Sequence, residues 1–211
     1  MAKAYALIMI AVTVSFLGFV VENVWLGLTK GYMDNRNMML PFLLGYGVAM
    51  LAIYLLFGTP QHLRICGVAI SLQSKASQLL VYFLLVMVCI SIGEILLGTV
   101  VEKTCQIQWW DYSRLPLHIT RYTSIPTSAG FSVMVVTFMN KIFLPLYESF
   151  LNWDYKRLKY TAIILLVLLV GDYVYHTCLM YMRKSMISRW IIDTSGTRIY
   201  QMLHKKQHSF G

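Results

Sequence analysis

Five apolar runs, each about as long as a bilayer is thick, leave this chain few ways to fold. They occupy roughly residues 4–28, 40–57, 78–102, 126–149 and 160–182. A helix needs about 20 apolar residues to cross the hydrocarbon. Inside it, every backbone N–H and C=O must find a partner within the protein, and a helix meets that demand run by run. The expectation is an all-α, polytopic transmembrane helical bundle of about five spans. The stretch ICGVAISL at 65–72 is too short to cross alone and is expected to lie at the interface. If it crossed with help from its flanks, the count would be six.

Composition agrees. The chain is 58% hydrophobic and 13% charged, where a soluble domain is nearer a quarter charged. Nothing resembling a linker interrupts residues 1–182, which read as one helical domain followed by a basic tail at 183–211. Residues 1–28 exceed a signal-peptide core and lack a clear cleavage site, so they count as a span. Cys66, Cys89, Cys105 and Cys178 have no CxxC or metal spacing and read as reduced thiols. No cofactor is implied. His204 and His208 lie four apart in the tail, but two ligands do not make a metal site.

The net charge of +9 raises the question of nucleic acid. Position excludes it, because the cations lie between spans and in the tail, where they orient the chain and meet anionic headgroups. With five spans, the N-terminal side (A) carries Lys3, Arg64, Lys75, Lys156, Arg157 and Lys159, six in all. The opposite side (B) carries eleven: Lys30, Arg36, Lys103, Arg114, Arg121, Arg183, Lys184, Arg189, Arg198, Lys205 and Lys206. The positive-inside rule puts side B, and with it the C-terminal tail, in the cytoplasm of a multi-pass cell-membrane protein.

Ionisable groups inside spans are costly, at about 2.5 kcal/mol or more each. Here they are Glu22, Glu94, Lys141, Glu148 and Asp172, with Glu102 at a span end. At ~1.5 Å per residue, Glu22, Glu94 and Asp172 all fall in the B-side half of the membrane. His176 is one turn beyond Asp172 on the same face, and Tyr46 enters from side B at a similar depth. Between the third and fourth runs, also on side B, stands WWDYS (109–113). Its tryptophans fit an interfacial belt, and Asp111 fits a loop cap. The sharper expectation is that Trp110, Asp111 and Tyr112 close over a polar cluster of Glu22, Glu94, Asp172, Tyr46 and His176. Lys141 falls toward side A, so pairing with Glu148, seven residues on, or snorkelling is expected instead. The B-side carboxyls therefore lack a lysine partner. A protonated carboxyl in an apolar cavity can donate a proton or couple transport to one.

FLGFVVENVW (16–25), NRNMMLPFLLGYG (35–47), GEILLGTVVEK (93–103) and WWDYS occur in that order. Over about residues 10–115 the chain resembles the "putative type-IV ABC-transporter" membrane family, also called CmpB-like. The resemblance maps the family pattern onto Glu22, Asn35, Arg36, Pro41, Tyr46, Gly47, Glu94, Glu102, Trp110, Asp111, Tyr112 and Ser113. It adds Asn35, Arg36 and Glu102 to the residues expected to bind substrate. The chain departs from the pattern at Asn37, where the family usually has glycine, and in RLPLHITRYTS after WWDYS.

Three functions compete. The resemblance implies a transporter or permease component with a carboxylate pocket for a small or lipidic substrate. No GxxxxGK[ST] is present, so ATP hydrolysis would need a separate ATP-binding subunit. The alternative is an intramembrane acid–base enzyme on an isoprenoid or other lipid. Glu22 or Glu94 would act with Asp172, and Tyr46, Trp110 and Tyr112 would steady a cation. The third is a structural or assembly protein whose polar residues bind helices together.

Overall fold

The computed structural model describes residues 1–65, 67–70, 72 and 74–204, with side chains to residue 201. Cys66, His208 and the last two lysines lie outside the described residues, as do the side chain of His204 and parts of the 65–72 stretch. Among the described residues seven helices form, in the order α1 (Ala2–Thr29), α2 (Leu44–Phe57), α3 (Lys75–Cys105), α4 (Ile125–Lys141), α5 (Phe143–Leu151), α6 (Tyr155–Arg183) and α7 (Arg198–His204). The chain is an all-α bundle, as its apolar runs require. By length and composition α1, α3 and α6 can each cross a membrane, and the α4–α5 pair adds a fourth crossing if it is one bent span. α2 is a shorter apolar helix of 14 residues. Each of the five expected runs thus becomes helical, but not each becomes a full-length span.

The local reasons are legible. The Ser74 hydroxyl caps α3 by accepting from Ser77 N–H at 3.0 Å. Ser124 and Thr127 form a reciprocal capping box on α4, with Pro126 in the first turn. Asp154 caps α6 through Lys156 and Arg157 N–H at 3.0 and 3.1 Å. The expected fourth span breaks by 48° between α4 and α5. Pro145 has no N–H for the Lys141 carbonyl, and its ring clashes with that carbonyl, so the helix cannot run straight through. Lys141 and Glu148 are both exposed and, among the described residues, make no ion pair with each other. The expected pairing fails because the break lies between them.

α2 begins four residues later than its apolar run. The N–H groups of Met39 and Leu40 are bonded to the Asp172 carboxylate at 3.1 and 3.0 Å. Leu43 N–H donates to the Ser15 carbonyl at 2.9 Å. These groups cannot also make helical bonds, so 38–43 stays out of the helix and is satisfied by its neighbours.

α1 is central and packs on α2, α5 and α6, while α3 packs on α4. The core links Ile10, Tyr82, Val86, Met139, Phe143 and Leu158. α3 turns Leu80, Leu84, Val88, Ile92, Leu96 and Val100 outward, one every fourth residue. A ridge of that composition belongs against lipid tails.

Short hairpins close both ends. On side A, β2 (Gly58–Thr59), β3 (His62–Ile65) and β4 (Val68–Ala69) form a three-stranded antiparallel sheet. The stretch expected merely to rest at the interface contributes to it. On side B, β5 (His118–Thr120) pairs with β6 (Thr123–Ser124). Also there, β1 (Tyr32–Asp34) pairs with β7 (Ile191–Asp193), Tyr32 opposite Asp193. The segment after Arg183 therefore returns to the bundle. Asn35 Oδ1 accepts from Arg189 N–H at 2.9 Å and Asn37 Oδ1 from Ile187 N–H at 2.8 Å.

Candidate functional site

Glu22 and Glu94 each sit one helical turn from a glycine that seats a tyrosine. A Cβ on Gly18 would lie 2.4 Å from Tyr46 Cγ, so the Tyr46 ring rests directly on α1. From there its hydroxyl donates to Glu22 Oε1 at 2.8 Å. A Cβ on Gly98 would lie 2.4 Å from Tyr122 Cδ1, so Tyr122 rests on α3 in the same way.

Glu22 also has a counter-ion. Arg36 Nη2 lies 2.8 Å from Glu22 Oε2, and Arg36 Nη1 lies 3.7 Å from Asp34. The pair is only partly shielded, with side-chain exposures of 27% for Glu22 and 19% for Arg36. The partner is not a lysine but a loop arginine that folds back over the end of α1. Arg36 and Asn37 take φ of +48° and +62° to make that turn. This conformation is uncommon outside glycine, and asparagine tolerates it better than most. Asn37 occupies the position where the resemblance expects glycine.

Glu94 is held differently. Its Oε2 accepts from Thr123 Oγ1 at 2.6 Å and from Ser128 Oγ at 3.2 Å. Ser91 Oγ donates to Ser128 Oγ at 3.0 Å. The hydroxyls come from β6 and α4, so Glu94 ties α3 to the next hairpin and helix. Sequence reading did not single out Thr123, Ser128 or Ser91, because hydroxyls in apolar runs carry no spacing signal of their own.

Asp172 is turned to the backbone. Besides Met39 and Leu40 N–H, it lies 2.9 Å from His176 Nδ1. His176 is fully buried, its Nδ1 also lies 3.0 Å from the Asp172 carbonyl, and its Nε2 has no partner among the described residues. Both oxygens of Asp172 are occupied in fixing the loop that leads into α2. That loop delivers Arg36 and Tyr46 to Glu22.

The WWDYS loop lies at the cluster. Trp110 Nε1 donates to the Tyr122 carbonyl at 2.8 Å, and Tyr112 N–H donates to the Arg121 carbonyl at 2.7 Å. Burial pushes the Tyr112 phenol well above its usual range, and the Glu94 and Glu22 carboxylates push it further, with Arg36 opposing. Tyr112 is thus within electrostatic reach of both carboxylates. Asp111 does something plainer. It is exposed and closes a turn with Ser113 N–H at 2.8 Å. That bond, with one from the Ser113 hydroxyl, holds its carboxyl below the usual range. Glu102 makes an exposed ion pair with Arg121 at 3.1 Å.

A pocket of about 90 Å³ opens beside the Glu22–Arg36 pair. Tyr46, Leu97, Trp109, Trp110 and Tyr173 complete most of its wall. Among the described residues no group of three or more His, Cys, Asp or Glu side chains could hold a metal ion.

A helical bundle of membrane-spanning apolar helices, with an ion pair and a second carboxylate held between them, defines a polytopic membrane protein with a polar interior. The chain belongs to the family described as "Putative ABC-transporter type IV", whose model matches residues 9–177. The match runs from α1 into α6, well past the 10–115 over which the motifs alone carried the resemblance. No curated protein and no solved structure matches the chain.

Proposed function

We propose that this chain is the membrane-spanning component of a transporter, and that the Glu22–Arg36–Tyr46 pocket is its substrate site. The observation that carries the reading is the ion pair that borders an open pocket between helices. Paired charges inside a membrane domain are costly and serve ligand recognition far more readily than stability. Family membership supports the same reading, and a separate ATP-binding subunit would supply the hydrolysis. The B side, with the C-terminal segment, faces the cytoplasm by the balance of positive charge.

The pocket limits the substrate. Sites for drug-sized ligands run to several hundred Å³, so in this conformation about 90 Å³ admits a small solute or a headgroup. Arg36 offers an anion its guanidinium fork, Glu22 and Tyr46 offer a cation an acceptor pair, and Trp109 and Trp110 offer either an apolar wall. Acid–base catalysis on a lipid fits less well. It asks for a carboxyl aimed at substrate, whereas Asp172 is engaged by the 39–40 backbone and Glu94 by two hydroxyls. Asp172 and His176 act as positioning residues for the loop.

The test is solute accumulation. Membrane vesicles bearing the wild type, Glu22→Gln and Arg36→Gln are loaded with a metabolite mixture, supplied with ATP and profiled by mass spectrometry. At least one solute should move with the wild type and move tenfold less with either variant at equal protein. Identical profiles for all three would overturn the assignment.

A further inference from the structure

The membrane face opposite the Glu22 cluster holds a second, larger cavity. It lies where α2 ends, β2–β4 turn and α3 begins, with Leu144 of α5 on one side, and its volume is about 470 Å³. Among the described residues of its lining the one permanent charge is Arg64 on β3. Arg64 is half-buried, stands 5.7 Å over the Tyr54 ring and donates from Nη2 to the Tyr54 carbonyl at 3.3 Å. Among the described residues its Nε is buried without a partner, and so is the Thr59 hydroxyl in the same wall. Among the described residues no carboxylate pairs with Arg64, and the lining contains none.

A half-buried guanidinium with one long hydrogen bond and no counter-ion is under-satisfied by its own protein. The remaining donors form a planar fork that suits a phosphate or carboxylate bidentately. His62 and Gln78 add polar groups around it, while Leu63, Ile70 and Leu144 give the cavity an apolar side. A cationic fork and aliphatic side chains in one lining, where α2 ends and α3 begins, match a phosphate joined to an apolar body.

We propose that the Arg64 cavity is an anion site that holds a phosphate, as a phospholipid headgroup or as the free ion. It is separate from the transport pocket and does not rest on the transport reading.

Native mass spectrometry of the purified chain, titrated with phosphatidylglycerol and, in a second series, with inorganic phosphate, tests this. Variants are Arg64→Gln, Arg64→Lys and, as a control for surface charge on the same side, Lys156→Gln. Phosphatidylglycerol occupancy should fall about tenfold in Arg64→Gln, less in Arg64→Lys, and not at all in Lys156→Gln. An Arg64-dependent phosphate adduct without an Arg64-dependent lipid adduct would still support the site and identify its source as the free ion. Equal occupancy of both ligands in the wild type and Arg64→Lys, which keeps charge and loses the fork, would overturn it. So would equal occupancy in a folded Arg64→Gln.

Discussion

Asp172 is the residue whose part changes most between sequence and structure. Its depth in an apolar helix marks it as chemically active, yet both its oxygens accept backbone N–H groups from the loop that starts α2. Asp172→Asn should therefore destabilise the fold by about 1–3 kcal/mol, since one oxygen is replaced by an amide that faces donors. A lowered thermal midpoint in detergent checks it, and an unchanged midpoint would contradict it. Tyr46→Phe removes one bond to Glu22 and should cost about 1 kcal/mol or less. Its larger effect should fall on transport. At Tyr112 the sign of a pH effect can be worked out. Its folded pKa is raised, so the folded state retains the phenolic proton after the unfolded chain, near pH 10, has lost it. Stability from this group is intact below pH 10 and lost as pH rises beyond. Tyr112→Phe should show a shallower alkaline loss of thermal midpoint than the wild type.

Helices were legible because their cause is local. Five apolar runs became helices near their expected places, since lipid leaves the backbone no other partner. What was not legible depends on partners distant in sequence. The 14-residue α2 starts late because Asp172, 132 and 133 positions away, holds Leu40 and Met39. The α4–α5 break, by contrast, was written in Pro145. Glycines divide in the same manner. A Cβ on Gly47 would stand 2.4 Å from the Ala11 carbonyl oxygen, a backbone atom that cannot swing aside. Gly47→Ala must push α1 from α2 and should cost about 1–3 kcal/mol. Gly93 has nothing within 4 Å of its Cβ position. Gly93→Ala should leave stability equal or raise it by up to about 1 kcal/mol through helix propensity. Paired thermal melts of the two variants separate these outcomes.

Across the whole molecule, the chain closes on itself at side B. The segment after α6 bonds Asn35 and Asn37, and its strand pairs with β1, so the turn that carries Arg36 is held from both ends of the sequence. Truncation after Ser185 should leave α1 to α6 intact and speed amide exchange at 32–38 tenfold or more. Unchanged protection there would contradict the account. This closure was invisible beforehand because the tail reads as basic and polar, and its contacts are made by backbone groups that composition does not reveal. Of the expected site, Glu22, Tyr46, Trp110 and Tyr112 are brought to one place, with Glu94 within electrostatic reach of Tyr112. Arg36, which the resemblance had placed among the binding residues, joins them as the counter-ion of Glu22.

The central claim is that this chain is one part of a transporter with its ligand at the Glu22 cluster. Native mass spectrometry of the intact assembly, gently extracted from the membrane in which it is made, tests it most directly. The account predicts a co-purifying ATP-binding subunit in fixed ratio, and a small bound ligand lost in Glu22→Gln and retained in Lys156→Gln. A chain that emerges without an ATP-binding partner, carrying a lipid released only by Glu94→Gln, would contradict it and return the carboxylates to chemistry on that lipid.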